Sequence, residues 1–223
     1  MSLQIWQLRC LGSQSQHWCE IILNMNLDKY KNRKVVLVDE QDNELGVGSL
    51  VEAHQGRGQK HRAFSLVLYR PTSSATSLGV NNVEILLQKR AQAKPVFPGL
   101  WANTCCYNMA PGEEYLERAV SRVKEEMGVA VDESVLDKLY QFSYYAPDLE
   151  GWCENELDQV IMGEWSGKVM PNPEEAEDYR WIGWKELKKD VTNNPDKYAP
   201  WFQTIMSDGR VLRHAQDKLQ KSE

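Results

Sequence analysis

The sequence has no apolar run long enough to cross a membrane, because its longest stretches, such as K-V-V-L-V at residues 34–38, are short. It also lacks an excess of basic residues, with 26 Lys and Arg against 32 Asp and Glu. Proteins that bind nucleic acids usually present a basic face, so we expect neither a nucleic acid nor a membrane as a partner. A small phosphorylated ligand is compatible with this charge, because a few local Lys and Arg side chains suffice to bind it.

Cysteine is scarce as well, with five residues in a chain of 223, which excludes a disulfide scaffold. Cys105 and Cys106 are adjacent, and neighbouring cysteines are badly placed for a disulfide. Zinc sites usually separate their cysteines by roughly two to four residues. The doublet therefore favours a reducing compartment, and we predict a cytoplasmic protein in which one of these thiols serves in chemistry.

The composition, 42% apolar and 26% charged, suits one globular domain with a substantial core. We assign residues 25–213 to this domain. Residues 1–24 form an extension that fits no signal peptide, because no early basic region precedes a long apolar core. Residues 214–223 are interpreted as a polar tail. The sequence leaves open whether the chain is a monomer or a homodimer.

The order of the predicted elements indicates an α+β layered fold, with a mixed β-sheet flanked by helices. Residues 111–128 form the clearest helix, because apolar residues recur at helical spacing and Gly128 can end it. Shorter helices are expected at residues 184–190 and after Pro200. The predicted strands lie at residues 34–40, 61–69, 83–90, 140–146 and 154–165, and a turn at residues 41–46 leads into a further short strand.

Three polar clusters are candidates for chemistry: His54 with His61, Glu125 with Glu126, and the E-N-E segment at residues 154–156. If E-N-E lies on a strand, its two carboxylates share a face, and a divalent cation is the usual relief of their repulsion. Imidazoles combined with carboxylates form a site suited to magnesium, manganese or zinc.

Each of these features also has a purely structural interpretation. Two histidines seven residues apart are more often unrelated, and E-N-E is more often a solvated strand edge. Glu125 and Glu126 are more often an exposed helix face with partners such as Arg122. A single cysteine such as Cys106 is more often a small buried hydrophobe. Only the combination of the clusters favours a functional interpretation.

Five segments follow one another as H-Q-G-R-G-Q-K-H-R-A-F-S, L-L-Q-K-R-A-Q-A-K-P-V-F-P-G-L-W-A-N-T-C-C, R-V-K-E-E-M-G-V, Y-Y-A-P-D-L-E-G-W-C-E-N-E and A-P-W-F. Together they resemble the type 1 isopentenyl diphosphate isomerases, a branch of the Nudix superfamily, and the resemblance spans about residues 34–202. It implies a Nudix-type fold and an enzyme of isoprenoid biosynthesis. Such an enzyme is an intramolecular oxidoreductase that transposes the C=C bond of isopentenyl diphosphate to give dimethylallyl diphosphate.

The resemblance also implies roles for individual residues. Cys106 would serve as one acid/base, and Glu156 would act on the opposite face of the substrate with the help of Tyr144. Trp201 would lie beside a carbocation, which an indole ring attracts. The implied diphosphate-binding residues are Arg90, Lys94 and Arg122. The implied ligands of Mg²⁺ and/or Mn²⁺, with Zn²⁺ as an option in the His/Glu site, are His54, His61, Asn108, Glu126, Glu154 and Glu156.

Two positions depart from the pattern of this family. Asn108 stands where the family usually has a metal-binding His, and an amide oxygen is a weaker ligand than an imidazole. Leu50 stands where the family commonly has Lys. We therefore expect one phosphate contact to be lost, or to be supplied by Lys60 or Arg57.

The main alternative is a Nudix hydrolase that cleaves a nucleoside or prenyl diphosphate linkage. Such enzymes carry Arg-Glu where this chain has Ser121 and Arg122, and Gly where it has Tyr107. The missing helix carboxylate argues against metal-assisted hydrolysis. A third interpretation is a non-catalytic Nudix-like binding module. Asn108 favours it, whereas the retention of the implied catalytic residues weighs against it.

Overall fold

The computed structural model describes residues 30–72, 83–148 and 151–221, so the predicted extension, residues 1–24, lies outside the described residues. The strands are β1 Lys34–Val38, β2 Glu44–Ser49, β3 His61–Pro71, β4 Val83–Arg90, β5 Trp101–Ala102, β6 Cys105–Asn108, β7 Leu136–Pro147, β8 Cys153–Glu164 and β9 Ala176–Gly183. The helices are α1 Leu50–Ala53, α2 Tyr115–Met127, α3 Trp184–Asn193, α4 Pro200–Ser207 and α5 Gly209–Lys221. Within the described ranges, none of these helices combines the length and the apolar character needed to span a membrane.

Strand β3 organises the sheet, because it pairs with four other strands. It runs antiparallel to β1, β4 and β6 and parallel to β8. The remaining pairs, β1 with β2, β4 with β5 and β9, and β7 with β8, are antiparallel. The sheet is therefore mixed, which confirms the predicted α+β fold with its mixed β-sheet.

Alternate residues of β3 enter two different cores. Phe64, Leu66 and Leu68 pack with the apolar face of α2 on one side of the sheet. Val67 and Tyr69 belong to the larger core, which also receives side chains from α3, α4 and α5. The alternation follows from strand geometry, in which successive side chains point to opposite faces. Helices thus cover both faces, as expected for a layered fold.

Helix α2 occupies most of the range predicted for it. Val123 and Met127 are fully buried, and the helix ends at Gly128, whose φ of 62° is left-handed. The Gly128 N–H donates to Lys124 O at 3.1 Å, which closes the last turn. A Cβ at Gly128 would lie 2.4 Å from Met170 O, so the close approach of the two segments also requires glycine.

The end of the described chain differs from our expectation of a polar tail beginning at residue 214. Residues 214–221 continue helix α5, in which Val211 and Ala215 are fully buried. The half-buried Leu219 lies four residues further along and packs against the same core. This spacing places three apolar side chains on one face of a helix that is mostly polar. The polar average composition of residues 214–223 therefore did not indicate a helix.

Candidate active site

A cleft opens over the sheet, and its wall contains ten of the twelve site residues predicted from the sequence. The empty space within the cleft amounts to about 700 Å³, part of it open to solvent. His61 and Glu126 do not line it, but both are buried and contact residues that do. The ten lining residues are His54, Arg90, Lys94, Cys106, Asn108, Arg122, Tyr144, Glu154, Glu156 and Trp201.

Strand β6 separates the two adjacent cysteines onto opposite faces. Cys105 is fully buried and packs in the core that contains Val123 and Met127 of α2. Cys106 is half-buried and lines the cleft. The pairing of β6 with β3 fixes this orientation, because it places Cys106 opposite Ser65 and Cys105 opposite Leu66. Cys106 is therefore the thiol that a ligand in the cleft can reach.

The thiol of Cys106 is surrounded by polar groups although it is largely shielded from water. Its Sγ lies 3.6 Å from Ser65 Oγ and 3.2 Å from Asn103 Nδ2. Burial raises the pKa of Cys106 to about 12, and the carboxyl group of Asp158 adds to the effect. The thiol consequently holds its proton across the neutral pH range.

Glu156 on β8 has a hydrogen-bond donor at each carboxylate oxygen. The Tyr144 hydroxyl donates to Oε2 at 2.5 Å, and Asn108 Nδ2 donates to Oε1 at 2.6 Å. Burial and the neighbouring Glu154 carboxylate raise the pKa of Glu156, which makes this group a stronger base. Burial also raises the pKa of Tyr144 well above its usual value, so its hydroxyl keeps the proton that it donates.

Four buried side chains form a cluster that could hold a divalent metal ion: His54, His61, Glu154 and Glu156. One ligand atom from each lies within 4.8 Å of the others. His54 Nδ1 lies 2.7 Å from Leu50 O, and His61 Nδ1 lies 2.7 Å from Gln59 O. These backbone contacts direct both Nε2 atoms into the cluster, an arrangement typical of metal-binding histidines. The residues present therefore fit a divalent cation.

The electrostatics of the same cluster agree with a cation site. Glu154 Oε2 lies 3.0 Å from His54 Nε2. Burial alone would lower the pKa of His54 and raise the pKa of Glu154. The contact between the two side chains outweighs burial, so the pKa of His54 is raised and the pKa of Glu154 is lowered. Glu156 is the second carboxylate on the same face of β8, as the E-N-E pattern predicts. Two buried carboxylates this close repel each other, and a cation between them removes the repulsion.

Asn108 contacts the cluster through its amide nitrogen. In addition to Glu156, Nδ2 lies 3.0 Å from His61 Nε2. A metal ligand at this position would have to be the amide oxygen, which a half-turn of the amide group would bring to the same place. The role of Asn108 as a metal ligand stays a prediction. In the described structure, its Nδ2 bridges His61 and Glu156.

Two of the predicted diphosphate-binding cations are held by acidic side chains. Lys94 Nζ lies 3.3 Å from Glu126 Oε1, and Lys94 also pairs with Glu175. Arg122 pairs with Glu126 and lies 2.9 Å from Glu175 Oε2. These carboxylates raise the pKa of Arg122, although burial opposes the shift. Glu126 is 1% exposed and lies among these cations rather than in the His/Glu cluster, so its predicted contact with magnesium remains untested.

Arg90 and Trp201 meet on the wall of the cleft. Arg90 donates to two carbonyl oxygens, Phe97 O at 3.0 Å and Val96 O at 2.6 Å. Its Cζ lies 5.1 Å from the centroid of the Trp201 ring. Trp201 Nε1 donates to Asn103 Oδ1 at 3.0 Å, and this bond fixes the plane of the indole. The aromatic wall continues to Tyr144, whose ring centroid lies 6.2 Å from that of Trp201.

The sequence analysis missed the residues behind the Cys106 thiol. Ser65 donates to Asp158 Oδ2 at 2.7 Å, so the lone pairs of its hydroxyl remain for the S–H of Cys106. Asp158 is 1% exposed, and burial raises its pKa well above the usual value, with Glu156 adding to the effect. The available signal was its position on β8, two residues after Glu156 and therefore on the same face.

Neither residue expected to replace the family's Lys at Leu50 takes that role. Lys60 pairs with Glu40 and donates to Ser143 Oγ at 3.2 Å, away from the cleft wall. Arg57 is exposed and does not line the cleft. The alternative in which one phosphate contact is lost therefore stays the prediction, and Leu50 itself contributes an apolar side chain to the wall.

The mixed sheet, the helix α2 and the His/Glu cluster define a Nudix-type domain that could hold a divalent metal ion. Residues 59–202 match the NUDIX domain family. Isopentenyl-diphosphate Delta-isomerase 1 of Aromatoleum aromaticum is 40% identical over 78% of this chain and 90% of its own length. The isopentenyl-diphosphate Delta-isomerase of Nocardia farcinica is 36% identical over 77% of this chain and 91% of its own.

A third relative, the isopentenyl-diphosphate Delta-isomerase of Serratia proteamaculans, is 37% identical over 78% of this chain and 89% of its own length. The chain therefore belongs to the NUDIX family and, within it, to the isopentenyl-diphosphate Delta-isomerases. Among solved structures, DR0079 from Deinococcus radiodurans has the same fold with a TM-score of 0.58. It covers 82% of this chain and 98% of its own at 16% identity, so this likeness concerns the fold alone.

Proposed function

We propose that this chain isomerises isopentenyl diphosphate to dimethylallyl diphosphate, with Cys106 and Glu156 as its two acid/base groups. The observation that carries the proposal is that three side chains line the same cleft: the protonated thiol of Cys106, the hydrogen-bonded carboxylate of Glu156 and the indole of Trp201. The three relatives described above bear the name of this enzyme over most of their length.

The reaction moves one proton on and one proton off the carbon skeleton. Protonation of the terminal alkene carbon forms a C–H bond from the π electrons and leaves a tertiary carbocation. Removal of a proton from the neighbouring methylene then forms the new C=C bond. Cys106 holds a proton at Sγ, and Glu156 has a raised pKa and hence a basic carboxylate. Each group is the donor in one direction of the reaction and the acceptor in the other.

The carbocation needs a dry and electron-rich environment. Trp201 is 2% exposed, and its indole is held in place by Asn103, so its π electrons are available at the wall of the cleft. The ring of Tyr144 extends the same wall. An aromatic face stabilises an adjacent cation most strongly where water is excluded. These two residues are therefore assigned to the stabilisation of the intermediate.

A divalent metal ion is assigned to His54, His61, Glu154 and Glu156, and we propose Mn²⁺, Mg²⁺ or Zn²⁺ at this site. When bound, the ion would supply positive charge that keeps the Glu154 and Glu156 carboxylates together. No ion is assigned to Glu126, because Lys94 and Arg122 already compensate its buried carboxylate. The residues of the chain fix the orientation of Glu156 independently, because Tyr144 and Asn108 each hold one of its oxygens.

The acids of helix α2 argue against hydrolysis. Glu125 pairs with Arg118 at 2.9 Å and with Arg122 at 3.1 Å, and it lies on the outer face of the helix. Glu126 is buried against Lys94, Arg122 and Gln88. A hydrolase needs helix carboxylates that bind metal and activate water. In the part of the chain that the structure describes, none of the three acids of α2, Glu117 included, lines the cleft.

The test is to incubate the protein with isopentenyl diphosphate and Mg²⁺ or Mn²⁺ in heavy water and to identify the product by NMR. We expect dimethylallyl diphosphate that carries deuterium, because the added proton comes from an exchangeable group. Release of inorganic phosphate from prenyl or nucleoside diphosphates, without a shift of the double bond, would contradict the proposal and establish a hydrolase. Tight binding of the substrate without any reaction would also contradict it and would indicate a binding module.

A further inference from the structure

Arg33 lies at the cleft but has no role in the reaction derived above. It directly precedes β1, and its carbonyl oxygen accepts a hydrogen bond from the Leu50 N–H at 3.0 Å. This bond places Arg33 beside the first residue of α1, and the side chains of both residues line the cleft. Arg33 Cζ lies 4.6 Å from the centroid of the Tyr107 ring, so the guanidinium stacks on a wall residue.

Arg33 differs from Lys94 and Arg122 in having no acidic partner among the described residues, and from Arg90 in having no side-chain hydrogen bond to a carbonyl oxygen among them. Lys94 and Arg122 are each held by Glu126 and Glu175, and Arg90 donates to two backbone carbonyl oxygens. Nη2 of Arg33 is shielded from solvent and finds no hydrogen-bond acceptor within the ranges that the structure describes. A buried donor without an acceptor is costly, and its usual explanation is a ligand, ion or water that completes the bond.

The Tyr107 ring provides an internal comparison. Arg118 Cζ lies 4.1 Å from the centroid of the same ring, but Arg118 does not line the cleft. Its guanidinium lies 2.9 Å from Glu125 Oε1 and 3.6 Å from Glu113 Oε1. Three arginines therefore contact one tyrosine, since Arg122 Cζ lies 5.8 Å from the same centroid. Among the described residues, Arg122 is held by Glu126 and Glu175, whereas Arg33 lines the cleft without an acidic partner. The Tyr107 contact also restricts the Arg33 side chain and lowers the entropic cost of binding an anion.

We infer that Arg33 binds the diphosphate group of the substrate and is a substrate-binding residue of this site. The inference rests on the proposed function, since that function supplies the anion. A guanidinium presents paired N–H donors that match two phosphate oxygens, and it stays charged at all relevant pH values. From the segment adjacent to Leu50, Arg33 thus adds a positive charge that no acidic side chain among the described residues compensates.

The test compares Arg33→Gln, Arg33→Lys and the matched control Arg118→Gln. Calorimetric titration with inorganic pyrophosphate and Mg²⁺ measures anion binding without any reaction. We expect Arg33→Gln to weaken binding about tenfold or more, a loss of about 1.4 kcal/mol. Arg33→Lys should recover part of the loss, and Arg118→Gln should stay within about twofold of the unaltered protein. In the isomerase assay, Arg33→Gln should raise KM by a similar factor with little change in kcat.

Unchanged pyrophosphate affinity in Arg33→Gln would overturn the inference. An equal loss of affinity in Arg118→Gln would also overturn it, because it would reveal a general charge effect. The inference would fail as well if the unaltered protein did not bind pyrophosphate. Thermal unfolding of each variant shows whether the chain still folds. If neither the unaltered protein nor any variant isomerises isopentenyl diphosphate, but Arg33→Gln alone loses pyrophosphate affinity, the anion site stands and the proposed function fails.

Discussion

At the scale of single residues, the environment and not the residue type separates Cys105 from Cys106. Strand β6 causes the separation, because alternation along a strand sends neighbours to opposite faces, but the sequence analysis predicted no strand at these residues. The sequence also does not predict the groups that surround the Cys106 thiol. Ser65 and Asp158 come from β3 and β8, and they meet the thiol only through strand pairing. The family resemblance thus pointed to Cys106 but did not give the cause of its raised pKa.

The raised pKa predicts slow alkylation of Cys106. Only the thiolate reacts with iodoacetamide, and a pKa of about 12 leaves very little thiolate at pH 8. We expect labelling of Cys106 in the folded protein to be at least about a hundredfold slower than in urea, where the pKa returns to about 8.5. The rate should rise about tenfold per pH unit up to about pH 10. Mass spectrometry of the labelled peptide measures it, and rapid labelling at pH 7 would contradict the assignment.

Asn108 gives a second prediction at this scale. Its amide occupies the position between His61 and Glu156, so Asn108→His places an imidazole at the His/Glu cluster. If position 108 lies within reach of the ion, the variant should bind Mn²⁺ on the order of tenfold more tightly, because imidazole is the better ligand. Asn155→His is the matched control, since Asn155 lies on the opposite face of β8. Equal affinity in both variants would place residue 108 outside the coordination sphere.

At the scale of elements, β8 supplies three neighbouring acidic side chains at the candidate site. Glu154, Glu156 and Asp158 alternate along it and are all buried. The E-N-E pattern predicted that the first two share a face, and the partner strands bring His61 and Tyr144 opposite Glu156. Arg33 could not be predicted in this way. It precedes a strand with no site residue, and only the contact of its backbone with α1 brings it to the cleft.

The end of helix α2 predicts a stability effect. Gly128 and Gly112 both have positive φ, 62° and 79°, but only at Gly128 would a Cβ collide with a neighbour, Met170 O. Alanine at Gly112 should cost about 1 kcal/mol of backbone strain, which lowers Tm by roughly 2–4 °C. Gly128→Ala should lower Tm at least about twice as much, because Met170 must also move. Equal shifts in thermal unfolding would show that the close approach contributes nothing.

At the scale of the whole molecule, the sequence predicted the layered architecture and the longer strands in their order, but not β5, β6 and β9. These features depend on local periodicity and on long apolar runs, which a single sequence displays directly. The interpretation of residues 214–223 as a tail was incomplete for a physical reason. An amphipathic helix with one narrow apolar face has the composition of a polar tail, and only the core that accepts Val211 and Ala215 identifies it.

Removal of residues 214–223 tests this element. The truncation deletes the fully buried Ala215 and the half-buried Leu219, and it removes the pairing of Lys218 with Asp137 at 2.7 Å. We expect the free energy of unfolding to fall by about 2 kcal/mol, mainly from lost apolar burial. A shorter truncation of residues 220–223 keeps these contacts and is the control. Identical Tm values for both truncated proteins would restore the interpretation as a tail.

The rate at which deuterium from heavy water enters dimethylallyl diphosphate tests the central claim most directly, when it is measured for Cys105→Ala, Cys106→Ala and Glu156→Gln. The account predicts that Cys106→Ala and Glu156→Gln each lose at least about a thousandfold in rate while their thermal unfolding is nearly unchanged. Cys105→Ala should retain most of the activity. Near-normal incorporation in Cys106→Ala, or its loss in Cys105→Ala alone, would contradict the account.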